Sequence, residues 1–93
     1  MPYYGKAKKV VSDDWVLLVS RQIKELRKAK GYTSYETFAL DHGLDRKQYW
    51  RVENGSNITI KTLVKILNLH DKDLVSFFRD IDLLIKKGVS LRN

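Results

Sequence analysis

Apolar residues recur along the chain at three- and four-residue intervals, the spacing that gathers side chains on one face of a helix. Val16, Val19, Ile23 and Leu26 keep that interval behind Ser12, an N-cap candidate, and Asp13 and Asp14, carboxylates suited to a positive helix end. Arg27, Lys28 and Lys30 crowd the far end and Gly31 stops it, which predicts a first helix over 13–30. Ser34 caps a second, shorter segment reaching His42, with Glu36 in its first turn, Phe38, Ala39 and His42 inward, and Gly43 as its stop. Asp45 caps a third that runs to Asn54, with Tyr49 and Val52 inward and Asn54-Gly55 ending it. Thr59 caps a fourth, whose Leu63, Ile66 and Leu67 face the core. Asp71 is read as the cap of a fifth, carrying Leu74, Phe77, Phe78 and Ile81 and extended by Leu84 and Ile85 towards Lys87.

Nowhere do four residues alternate cleanly between apolar and polar, and the only proline is Pro2, so nothing argues for a strand or breaks a later helix. The expected fold is all-α, a compact bundle of about five short helices around the single core that 93 residues can close. Residues 1–12 read as a basic arm, 13–80 as the domain body, and 81–93 as a helical extension or tail.

Composition removes most chemistry. Without cysteine there is no disulfide, thiolate metal site or cysteine nucleophile. His42 and His70 stand far apart with no ligand set around them, so no metal site is expected. Ser76 and Ser90 lack a paired His and Asp, Asp80 and Asp82 fall on different sides of a helix, and no glycine-rich phosphate loop is present. The expectation is a protein that is not an enzyme and carries no cofactor. Its longest apolar run, Trp15 to Val19, is far short of the roughly 20 residues of a membrane helix. Lys6, Lys8 and Lys9 resemble the basic start of a signal peptide, but Asp13 and Asp14 interrupt the chain before an apolar stretch follows. A cytoplasmic protein without a membrane partner is expected. The 18 Lys and Arg outnumber the 11 Asp and Glu to give +7, which makes nucleic acid a candidate partner without deciding for it.

The layout of the second and third segments adds more than the charge. Ser34–His42 and Asp45–Asn54 are joined by Gly43-Leu44, a helix, a tight turn with glycine, and a helix. Such a pair can set its second helix into a DNA major groove, roughly 12 Å wide. Arg46, Lys47, Gln48 and Arg51 supply a basic and polar outer face, while Leu44, Tyr49 and Val52 supply the buried one. On an isolated helix these cations would read as a solvated face; in this layout a groove-reading surface is the better reading.

The combination Ile23-x-x-Leu26-Arg27, Ser34-x-x-x-Phe38-Ala39-x-x-x-Gly43-Leu44, Tyr49-x-x-Val52-Glu53-Asn54-Gly55 and Thr62-Leu63-x-x-Ile66 resembles the Cro/lambda-repressor-type, or Xre, helix-turn-helix regulators over about residues 20–78. That resemblance implies a lambda-repressor-like DNA-binding domain and a sequence-specific regulator of transcription acting on double-stranded DNA at the nucleoid. It places base-reading side chains at Arg46, Lys47 and Arg51, with Gln48 and Trp50 at the same margin. It implies phosphate contacts from Ser34 and Tyr35 and from the loop that contains Asn54, Ser56, Asn57 and Thr59. Arg27 and Glu53 match the family's buried ion pair. The chain departs from the pattern in four places. Tyr35 replaces a usual Gln, the segment before Ser34 is one residue longer, the loop after Gly55 is one shorter, and Tyr49-Trp50 replaces an Ile-Ser pair.

Phe77, Phe78, Ile81, Leu84 and Ile85 form a final apolar stripe with more than one reading. It is core packing, a homodimer interface as such regulators often use, or, in an antitoxin-like protein-interaction module, the clamp for a partner protein.

Overall fold

The structure, a computed structural model, describes residues 12–88; the basic arm expected over 1–12 lies outside it but for the Ser12 backbone, as do residues 89–93. Among the described residues the chain forms α1 (Ser12–Ala29), α2 (Tyr35–Asp41), α3 (Arg46–Glu53), α4 (Ile60–Asn68) and α5 (Leu74–Lys86), with no strand. The fold is an all-α bundle.

Each short helix begins where a side-chain oxygen replaces a missing backbone partner. Ser34 Oγ accepts from the Glu36 and Thr37 amides, at 3.1 and 3.3 Å, and Asp45 Oδ2 accepts from the Gln48 amide at 2.9 Å. Thr59 does the same for α4 through the Thr62 amide. The cap of α5 is Asp73, not Asp71: Asp73 Oδ1 accepts from the Ser76 amide at 2.8 Å, while Asp71 sits in the left-handed region at φ 53°. Asp71 closes α4 instead, donating from its amide to the Asn68 carbonyl while the Lys72 amide reaches back to Leu67. The end of α2 has the same form with Gly43 at φ 67°, and the Leu44 amide donates to the Ala39 carbonyl at 2.8 Å. That turn fixes the angle at which α3 leaves α2.

The core gathers Leu18 and Ile23 of α1, Phe38 and Ala39 of α2, Tyr49 and Val52 of α3, Leu63, Ile66 and Leu67 of α4, and Phe77 and Ile81 of α5. Leu18 is deeper than the expected Val16 and Val19, which lie half-buried beside it. Phe38 stands at the centre of an aromatic cluster. Tyr32 meets it edge-on, Tyr49 and His42 lie tilted against it, and His70 stacks parallel to it with ring centroids 5.3 Å apart. The C-terminal stripe goes mainly inward. Phe77 and Ile81 are wholly buried, Phe78 packs on Trp15, and Leu84 and Ile85 are half-buried. The open apolar positions of α5 are Val75 and Leu83, which the periodicity did not single out. α5 runs unbroken through Asp80 to Lys86.

Candidate nucleic-acid interface

α3 has two unlike faces. Tyr49, Val52 and Glu53 are buried against α1 and α2, whereas Arg46, Lys47, Gln48, Trp50 and Arg51 are exposed. At eight residues the helix is shorter than the dozen or more that hold together alone in water, so its geometry depends on the docked face.

The firmest part of that docking is ionic. Arg27 Nε donates to Glu53 Oε2 at 2.8 Å and Nη2 to Oε1 at 3.0 Å, a bidentate fork with both side chains almost fully buried. Nη1 donates to the Tyr32 carbonyl at 2.8 Å, so one guanidinium joins α1, the following loop and α3. Glu53 raises the Arg27 pKa and holds the group charged. The Tyr49 hydroxyl is buried close by, and burial first, then the Glu53 carboxylate, pushes its ionisation well up. Above the pair, the Gly55 amide donates to Ser20 Oγ at 3.1 Å. A Cβ at Gly55 would meet Leu17 Cδ2 at 3.3 Å, on a backbone held at φ 92°, so this approach of loop to α1 needs glycine.

The residues matched to DNA contact do not form one continuous patch. Tyr35, Arg46, Lys47, Trp50 and Arg51 share a cleft of about 380 Å³ between the start of α2 and the outer face of α3. Ser34, which precedes Tyr35, does not line the cleft, and its hydroxyl is engaged in capping α2. Gln48 faces a second groove, with Thr62 and Lys65 of α4 on the other side. Asn54 lies near Arg21 and Lys24 of α1, its side-chain amide donating to the Trp50 carbonyl at 2.8 Å. Ser56, Asn57 and Thr59 border an apolar recess that includes Trp15, Ile58, Leu63 and Phe78. Arg21, Lys24 and Lys65 are cations of these surfaces that the sequence reading did not name, and Glu36 was read there only as a first-turn carboxylate. Lys65 adds a cation beside Gln48, and Glu36 places a carboxylate in the cleft, 3.7 Å from Arg46. Only the folded arrangement of the helices shows what these side chains face.

A capped helix, a glycine turn and a second helix with a buried apolar face and a cationic outer one define a helix-turn-helix domain. The helix-turn-helix family model matches residues 23–77, more than half of the chain, and the protein belongs to the Cro/lambda-repressor-type helix-turn-helix family. Members of that family are regulators that bind double-stranded DNA, not typically enzymes. No curated protein and no solved structure matches the chain. No helix among the described residues is long and apolar enough to cross a membrane.

Proposed function

We propose that the protein is a sequence-specific regulator of transcription that sets α3 into the DNA major groove. The carrying observation is the pair of faces on α3: Arg46, Lys47, Gln48 and Arg51 stand exposed while Tyr49, Val52 and the Arg27-bound Glu53 hold the helix from behind. Arg46 and Arg51 supply forked donors for guanine O6 and N7, and Lys47 a third cation at the same margin. Gln48 suits adenine or a phosphate, and Trp50, 47% exposed, offers an apolar surface to a thymine methyl. Tyr35 shares the cleft of this surface, and Ser34, Asn54, Ser56, Asn57 and Thr59, which lie apart from it, are assigned to the DNA backbone on either side. A second copy would complete a two-fold reader with half-sites about 34 Å apart. Val75 and Leu83, exposed on α5, are apolar positions open to it.

Selection from randomised duplex DNA at about 150 mM salt tests the reading, because phosphate attraction alone fades there. The expected result is an enriched motif, as an inverted repeat if two copies bind. Replacing Arg46 or Arg51 with Ala should then cost about 1–3 kcal/mol on the enriched site and relax preference at one base position. Equal losses on enriched and random duplexes would assign both arginines to the backbone instead.

A further inference from the structure

We infer that Glu36 is a positioning residue that raises sequence preference by restraining Arg46 and repelling phosphate; the inference rests on the major-groove reading above. Arg46 Nη1 lies 3.7 Å from Glu36 Oε2, across the cleft where α2 meets the cationic face of α3. Among the described residues Lys47 and Arg51, the other cations of that cleft, have no carboxylate within 4.0 Å.

Stability does not explain the pair. The two side chains are 64% and 55% exposed, and an ion pair that open to water contributes little to folding. Its position matters more. Arg46 is the first residue of α3, at the positive end of the helix, where a cation is disfavoured and a nearby carboxylate relieves it. At 3.7 Å the carboxylate draws the guanidinium towards α2 by charge, without taking up one of its donors in a hydrogen bond.

The carboxylate treats the two kinds of DNA acceptor differently. Guanine O6 and N7 are neutral and accept from a guanidinium that also touches Glu36. A phosphate is an anion, so Glu36 repels it and competes with it for the same guanidinium. Binding to a matched base survives, whereas the attraction common to all duplexes falls. A carboxylate in a surface of net positive charge thus favours discrimination over affinity.

The test compares the wild type, Glu36→Gln, Arg46→Ala and the double variant, on the selected duplex and on a random one, across a salt series. Thermal unfolding of each confirms that folded protein is compared. Glu36→Gln should tighten random-duplex binding roughly threefold, the scale of one screened charge contact. It should lower the preference ratio by a similar factor and steepen the salt slope by about one. In the Arg46→Ala background the same change should leave the preference ratio where it was. An unchanged ratio for Glu36→Gln, or an equal shift with Arg46 absent, would overturn the inference, the second because any nearby carboxylate would then do. Loss of a cytosine from the selected motif would also overturn it, since Glu36 would be reading a base itself. Should the wild type prefer no sequence at all, the major-groove reading fails. The random-duplex arm then decides whether Glu36 acts through Arg46: tightening by Glu36→Gln that disappears in the Arg46→Ala background supports it, and equal tightening in both backgrounds overturns it.

Discussion

Removing either partner of the Arg27–Glu53 fork strands a charge among apolar neighbours, the costly direction for a buried pair. Glu53→Ala should therefore lose about 3–5 kcal/mol in urea unfolding, and the joint change Arg27→Met with Glu53→Leu should lose less than either single change. His70 also couples its ionisation to folding, and does so near neutral pH. Its Nε2 is buried without a hydrogen-bond partner among the described residues. Burial first, then Lys30, His42 and Lys72, lowers its pKa below the ordinary 6.5, with Asp71 opposing. The unfolded chain takes up that proton near pH 6.5 while the native chain still resists it. The contribution is whole above that pH and drains away as pH falls towards the native value. Unfolding measured at pH 7.5 and 5.5 should show a smaller loss on acidification for His70→Phe than for the wild type.

At the level of elements, caps and stops do most of the specifying. Ser34, Asp45 and Thr59 were legible as caps because each precedes a run of apolar residues at helical spacing. Asp71 misled because two aspartates stand two positions apart before α5, and either meets the composition of a cap. What separates them is the left-handed turn closing α4, usually marked by glycine and here occupied by Asp71. Asp73→Ala should cost about 1 kcal/mol by losing the bond to the Ser76 amide. Asp71→Gly should be neutral or stabilising in the same thermal unfolding assay, because the left-handed backbone suits glycine better. The pairing of Glu36 with Arg46 and the stacking of His70 on Phe38 left no trace in local spacing. Glu36 and Arg46 stand on different helices, and His70 lies in the turn after α4 while Phe38 is in α2, so only the packed bundle brings either pair together.

Across the whole molecule, the +7 charge and the reading surface are separate assets. Charge draws any duplex and is weakened by salt; the arrangement on α3 distinguishes one duplex from another. Changing Lys6, Lys8 and Lys9 together to Gln should lower affinity for selected and random duplexes by the same factor, and a salt titration should show a shallower slope. A change in the selected motif would instead give the arm a part in reading bases. The Arg27 fork also has a kinetic meaning. An eight-residue α3 has too little helix of its own to open and re-form by itself, so its hydrogen-bonded amides, from Tyr49 onward, should exchange with deuterium only when the α1–α3 junction parts. Exchange over Tyr49 to Glu53 should then be slow and match the buried middle of α1, so that the protein forfeits its reading surface and its core in one event.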